Sequence, residues 1–159
     1  MIRVGQGVDV HAFDESRPLI LGGVRISETN GLAGHSDADA VLHAVTDALL
    51  GAAGAGDIGL YFPSDDARWK NADSTIFLSE AKRVVVEMEA DISNVDVTII
   101  AERPKLAPFR DAMEANIARL LDLPVGHVNV KATTTDQLGF IGRGEGICAM
   151  AVVLISSSD

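Results

Sequence analysis

Cysteine is nearly absent from this chain: Cys148 is the only one in 159 residues. An intrachain disulfide and a multi-thiolate zinc site are therefore excluded, and any metal site must use histidine and carboxylate. Positive charge is also scarce. Thirteen Lys plus Arg stand against 23 Asp plus Glu, a formal net charge of −10. That balance argues against nucleic acid or anionic lipid as a partner, because phosphate-rich surfaces are bound through a basic footprint. A small anionic ligand would need local positive charge from a metal, an arginine or backbone N–H groups. No stretch approaches the roughly 18 to 20 apolar residues of a membrane span. Met1-Ile-Arg-Val-Gly5 runs into strand-like sequence without a basic-then-apolar leader, so the expected compartment is the cytoplasm. No repeat, low-complexity tract or linker interrupts the chain, which predicts one domain over residues 1–159.

Hydrophobic residues make up 47% and charged residues 23%, proportions of an ordinary soluble fold. A chain this long can bury about 70% of its unfolded surface, so it needs no metal merely to fold. Residues 2 to 11 alternate: Ile2, Val4, Val8 and Val10 share one parity, and Arg3, Asp9 and His11 the other, the period of a half-buried strand. Leu19 to Leu21 and Val24 to Ile26 flank Gly22-Gly23, a hairpin signal. Ser36 with Asp39 three residues on predicts a helix from Asp37 to Leu50, ended by Gly51 and Gly54. A second helix follows Ser74, where Phe77, Leu78, Ala81, Val84, Val85 and Met88 recur at helical spacing. Val95 to Ala101 predicts a strand, Pro108 to Leu121 a helix, and Val128 to Thr134 and Ile147 to Ile155 two more strands.

This order predicts an α+β fold, a mixed sheet of about four strands with helices on one face. Ile147 to Ile155 is apolar at nearly every position, although a strand with one wet face should alternate. Either it is a central strand buried on both sides within the chain, or the sheets of a homo-oligomer pack together.

Asp9 and His11, two apart on a strand, leave the same face of the sheet. His43 stands one helical turn after Asp39 and one before Asp47. If that helix packs over the first strand, Asp9, His11 and His43 form a set that suits zinc with one coordination position open, with Asp39 or Asp47 orienting an imidazole. The alternative is an ordinary strand surface and a hydrogen-bonded His43–Asp47 pair. His35-Ser36 at a helix head could form an anion site, or Ser36 could simply be an N-cap. Asp57-Ile58-Gly59 and Phe62-Pro-Ser64-Asp-Asp66 make a loop able to close over a ligand, or a solvated surface loop. Thr133-Thr134-Thr135-Asp136, followed by Phe140 and Gly142-Arg143-Gly144, offers hydroxyls, N–H groups and one hard oxygen ligand suited to a diphosphate and Mg²⁺, or else a structural turn. No Ser-His-Asp triad is evident.

Taken in order, Asp9-Val-His11, Gly34-His-Ser-Asp37, His43-Ala-Val-Thr-Asp47-Ala-Leu-Leu-Gly51, Gly56-Asp-Ile-Gly59, Asn94-Val-Asp-Val-Thr-Ile-Ile100, Val130-Lys-Ala-Thr-Thr-Thr135 and Leu138-Gly-Phe140 with Gly142-Arg-Gly-Glu-Gly146 resemble the 2-C-methyl-D-erythritol 2,4-cyclodiphosphate synthase family across essentially the whole chain. The resemblance implies a homotrimer with active sites between neighbouring subunits. It also implies a lyase of non-mevalonate isoprenoid biosynthesis, converting 4-diphosphocytidyl-2-C-methyl-D-erythritol 2-phosphate to the 2,4-cyclodiphosphate and CMP. By the same resemblance Asp9, His11 and His43 hold Zn²⁺, and Asp136 holds Mg²⁺ or Mn²⁺ together with the substrate diphosphate. His35 and Thr134 steady the transition state, and Ala101, Pro104, Lys105, Leu106 and Ala132 form a cytidine pocket. Ser36, the Asp57–Gly59 and Phe62–Asp66 segments and Thr133 complete the substrate contacts. Phe140 and Arg143 match positions at one end of a central cavity where isoprenoid diphosphates have been proposed to bind. Three positions depart from the family pattern: Asp136 replaces the more usual Glu, Ser64 stands where some relatives have Asp, and Met150 where some carry an acidic residue. Two other readings of the same residues are a zinc-dependent phosphohydrolase with water as nucleophile and a non-catalytic trimeric nucleotide-binding module.

Overall fold

The computed structural model describes residues 1–157. Its centre is a five-stranded mixed sheet built from β1 (Ile2–Asp14), β4 (Gly31–Leu32), β5 (Asp91–Ile100), β6 (Val128–Thr133) and β7 (Gly146–Ser156), in the order β4-β1-β7-β5-β6. β7 runs antiparallel to both neighbours, with Asp9 opposite Ala149 and His11 opposite Ile147. β5 and β6 are parallel, which requires a crossover, and α4 (Arg110–Leu121) supplies it. β2 (Leu19–Leu21) and β3 (Val24–Ser27) form the separate hairpin that the two glycines announce. Gly22 and Gly23 both have positive φ, 60° and 73°, the backbone that a two-residue turn of this type demands.

Helices α1 (Ala40–Ala53), α3 (Thr75–Glu87) and α4 cover one face, while α2 (Ile58–Tyr61) and α5 (Gly139–Gly142) are single turns. α1 begins three residues later than the sequence pattern indicates, because Ala38 sits in the left-handed region at φ 58° and breaks the run. Asp39, not Ser36, is its N-cap. Gly51 lies inside the helix, which ends at Gly54, φ 71°. The predicted helix from Pro108 divides into a 3-10 turn at Ala107–Phe109 and α4.

The alternation of β1 is real, and its buried side is the one without the valines. Gly5 and Gly7, with Asp9 and His11, face α1, while Val4, Val8 and Val10 point away and are 64%, 50% and 45% exposed. Glycine explains this, because a β-carbon at Gly5 or Gly7 would overlap the Ala48 or Ala44 carbonyl oxygen, so the helix rests directly on bare backbone. On β7 the odd-numbered Ile147, Ala149, Ala151, Val153 and Ile155 are buried beneath the helices, whereas Val152 is 41% exposed. β7 is central, yet its outer face is not covered within the chain. No helix among the described residues is long and apolar enough to cross a membrane.

Candidate metal centre and active-site clefts

Because α1 lies so close on β1, its first turn places His43 over Asp9 and His11. His11 Nε2 is 2.7 Å from Asp9 Oδ2 and His43 Nδ1 is 3.1 Å from the same oxygen. The two ring nitrogens are 3.4 Å apart, and one ligand atom from each of the three residues lies within 4.8 Å of the others. The side chains of Asp9, His11 and His43 are 25%, 17% and 11% exposed.

The far nitrogen of each imidazole is held from behind. His11 Nδ1 lies 2.6 Å from the Ala33 carbonyl oxygen, which only accepts, so Nδ1 carries the proton and Nε2 of the neutral ring offers its lone pair to the cluster. His43 Nε2 lies 2.8 Å from Ser74 Oγ and 3.2 Å from Ser36 Oγ, turning Nδ1 inward. Two imidazole nitrogens and a carboxylate aimed at one point repel one another unless a proton or a cation sits between them. As a donor set they fit a zinc-like ion with an open position. In the metal-free chain the proton fills that part. Burial works against a charged His11, but the Asp9 carboxylate hydrogen-bonded to it prevails and raises the imidazole above its ordinary 6.5. Burial likewise opposes an ionised Asp9, and the hydrogen bonds from His11 and His43 outweigh it, holding the carboxyl well below the usual range.

Asp39 and Asp47, the carboxylates flanking His43 in sequence, are engaged elsewhere. Asp39 is fully buried and accepts from Leu42 N and Gly22 N (3.0 and 2.9 Å) and from Gly23 N (2.6 Å), tying the hairpin to the head of α1. Its burial pushes the carboxyl up to about 6. Asp47 accepts from Ile58 N at 2.7 Å and so fixes the start of α2.

Beside the cluster opens a cleft of about 200 Å³ lined by His11, His35, Ser36, His43, Ile58, Gly59, Phe62, Ser64, Trp69 and Phe77. His35 Nε2 bonds the Asp66 carbonyl oxygen at 2.9 Å. Arg17 donates to the carbonyls of Gly34, at 2.6 Å, and Ser36, clamping the segment that carries His35. The carboxylates of the loop are used locally: Asp57 caps α2 at Leu60 N, and Asp66 pairs with Arg68. Phe62 is packed against Phe77 and Trp69, with ring centroids 4.5 and 5.0 Å away. Trp69 Nε1 is buried and has no hydrogen-bond partner among the described residues.

A second cleft, about 290 Å³, is lined by Ala101, Glu102, Pro104, Lys105, Leu106, Ala107, Ala132, Thr133 and Thr134. Asp136 adjoins it, donating its N–H to Thr134 Oγ1 at 3.2 Å. Asp136 and Gln137 have φ of 52° and 65°, and Glu102 pins the bend by accepting from Thr135 N, Thr135 Oγ1 and Gln137 N at 2.9, 3.0 and 3.3 Å. Asp136 joins no cluster of three metal-ligating side chains among the described residues. Phe140 lies in α5 and is 46% exposed, and Arg143 follows it, paired with Glu145 at 2.9 Å. The two clefts share no lining residue, so His35 and Thr134 fall in different ones.

Sequence reasoning missed Ser74, Ala33, Arg17, Trp69, Phe77 and Glu102. Phe77 reads as core by its spacing, and Ser74 only as the residue before a helix. Ser74 does occupy the cap position of α3, but its hydroxyl makes no cap bond there.

A family model, the YgbB family, matches residues 2–156. The chain is 54% identical over 159 residues to 2-C-methyl-D-erythritol 2,4-cyclodiphosphate synthase of Shouchella clausii, covering 100% of both sequences. Among solved structures it is similar to the bifunctional IspDF of Campylobacter jejuni, with a TM-score of 0.96 and 48% identity. That match covers 100% of this chain and 43% of the longer protein. It is also similar to the IspF of Plasmodium falciparum in complex with CDP, with a TM-score of 0.87, 36% identity and coverage of 99% and 97%. With its metal-ligand cluster and both clefts inside the matched span, this chain belongs to the YgbB family.

Proposed function

We propose that this chain is a metal-dependent lyase that converts 4-diphosphocytidyl-2-C-methyl-D-erythritol 2-phosphate to 2-C-methyl-D-erythritol 2,4-cyclodiphosphate and CMP, in the cytoplasm. The observation that carries the reading is the convergence of Asp9, His11 and His43 beside a cleft, in a chain whose full length matches a curated synthase. In this reaction an oxygen of the substrate's 2-phosphate bonds to the β-phosphorus while the bond from that phosphorus to the CMP oxygen breaks. Electrons and atoms balance within the substrate, so no protein nucleophile is required. The obstacle is mutual repulsion of phosphates.

Asp9, His11 and His43 would hold Zn²⁺, and Asp136 would hold Mg²⁺ or Mn²⁺, its remaining ligands coming from the diphosphate and water. Such cations supply charge neutralisation and in-line alignment of phosphoryl groups. The protein's own part is positioning. His35, with Nε2 bound to the Asp66 carbonyl oxygen, keeps Nδ1 for the substrate side. Thr134 Oγ1 accepts the Asp136 N–H and donates its own proton to Asp136 Oδ1 at 3.4 Å, a proton that would turn to a phosphate oxygen once that carboxylate held a cation. Ala101, Pro104, Lys105, Leu106 and Ala132 wall the second cleft, where the cytidine end would sit, with Thr133 and Thr134 at its phosphate end. Ser36, Asp57, Ile58, Gly59, Phe62, Ser64 and Asp66 build or brace the first cleft, where apolar walls exclude water that would divert the reaction to hydrolysis.

We take the assembly to be a homotrimer with the outer faces of β1 and β7 around its axis and the complete site between subunits, a reading supported by the division of the candidate residues between two clefts that share none. Phe140 and Arg143 would lie at one end of that axis. The test is to incubate the purified chain with the diphosphocytidyl substrate, zinc and magnesium and follow ³¹P resonances. The cyclic diphosphate and CMP are expected, with turnover lost on chelation and restored by zinc. No CMP under any metal condition would remove the assignment, and a linear product would make the chain a phosphohydrolase.

A further inference from the structure

Ser74 makes an unusual choice for a helix cap. It is fully buried, it precedes α3, and its hydroxyl contributes nothing to capping that helix. The hydroxyl lies instead between His43 Nε2, at 2.8 Å, and Asp37 Oδ1. Asp37 grips the same residue a second time, accepting the Ser74 backbone N–H on Oδ2 at 3.0 Å. It also takes the Asp39 N–H on Oδ1 at 3.1 Å.

We propose that Asp37, acting through Ser74, is a positioning residue that fixes the proton of His43 on Nε2 and so presents Nδ1 to the cation site. The inference rests on the metal-site reading above. A serine hydroxyl has one proton, and an ionised carboxylate only accepts. With its proton committed to Asp37, Ser74 Oγ is an acceptor toward His43, and the imidazole must donate. The neutral ring is then protonated on Nε2 and bare on Nδ1, the nitrogen 3.1 Å from Asp9 Oδ2. Ser36 Oγ, 3.2 Å from Nε2 and already accepting from Ala38 N, can take the same proton from the other side. For His11 a backbone carbonyl sets the tautomer. For His43 a carboxylate sets it across one intervening hydroxyl, in the way outer partners orient metal-bound imidazoles generally.

Asp37→Ala tests the polarity by removing the acceptor. Asparagine would not, because its amide oxygen at the Oδ1 position still accepts from Ser74 Oγ and from the Asp39 N–H. Without the carboxylate Ser74 is free to turn its proton toward His43, and the Asp9 carboxylate then favours a proton on Nδ1. Long-range ¹H–¹⁵N spectra of metal-free, histidine-labelled protein at alkaline pH, where both rings are neutral, should show His43 protonated on Nε2 in the wild type and on Nδ1 in D37A. Zinc affinity by chelator competition should fall about 10- to 100-fold in D37A. Ser74→Ala should remove the preference and weaken zinc binding, and Ser74→Thr should restore both, which a purely structural role would not produce. If D37A does not fold, the S74A and S74T pair decides. An unchanged His43 tautomer in folded D37A or S74A overturns the proposal. A wild-type chain that shows the Nε2 proton but binds no zinc would refute the metal site and leave the relay standing.

Discussion

Gly7 of β1 lies directly beneath Ala44 of α1, with no room between them for a β-carbon. Gly7 is the next residue before Asp9 on the same face of the strand, and Ala44 adjoins His43, so this contact sets how near His43 comes to Asp9. Gly7→Ala must push α1 off the sheet. Overpacking of this kind costs about 1–3 kcal/mol, and zinc affinity should fall along with the melting temperature. Gly51→Ala is the control, since a β-carbon there meets nothing nearer than Gln6 O at 3.8 Å. Thermal melts and zinc titrations of the two variants check this, and a Gly7→Ala protein with wild-type zinc affinity would contradict it.

What was legible in the sequence follows from period. Strand parity put Asp9 and His11 on one face, and helical spacing placed His43 within reach once the helix folded back. Parity could not say which face packs. The valines of β1 look like core, but Gly5 and Gly7 admit the helix, and their signal is the lack of a side chain. Ser36 reads as a cap because a serine before a helix usually is one, and Ser74 only as the residue before a helix. What engages the Ser74 hydroxyl is Asp37, 37 residues away in sequence, and local pattern carries no such information. The one-turn helices α2 and α5 are too short to show any period.

Proton linkage at the cluster gives a signed expectation for the metal-free chain. His11 is raised by Asp9 against the opposing effects of burial and of Arg17 nearby. Its contribution to stability is therefore full below 6.5 and lost as pH rises through the raised folded value. Asp9 is depressed, so its contribution is present above 3.8 and lost as pH falls below that. Metal-free protein should gain most from this pair between these ordinary values and weaken on the alkaline side. His11→Gln should flatten the alkaline limb in denaturant titrations at a series of pH values, and an identical limb would mean that the His11–Asp9 pair is not coupled to folding.

The outer face of the sheet tests the assembly. Val8, opposite Met150, and Val152, opposite Gln6, lie on that face in the middle of β1 and β7. Val152→Asp should yield a folded monomer by light scattering, because a charge tolerated by water is costly in a dry interface. Turnover should vanish while zinc affinity persists, since Asp9, His11 and His43 all come from one chain. A monomer that retains full turnover would show that one chain carries a complete site.

Glu102 should govern the second cation from a distance. Its Oε1 collects three donors from Thr135 and Gln137, and these hydrogen bonds to the charged form lower its own titration. They also hold Asp136 in its left-handed conformation at φ 52°. Aspartate is one methylene shorter than glutamate, so the reach of this carboxylate depends on the backbone that carries it. Glu102→Ala frees that bend. The magnesium concentration for half-maximal turnover should rise about tenfold, the size expected for a lost outer partner of a metal ligand. Zinc content should hardly change, because Glu102 lies outside the Asp9–His11–His43 cluster. Glu102→Gln keeps an acceptor oxygen for the same donors and should recover most of the loss. Equal magnesium dependence in wild type and Glu102→Ala would mean that Asp136 is positioned by its own backbone alone.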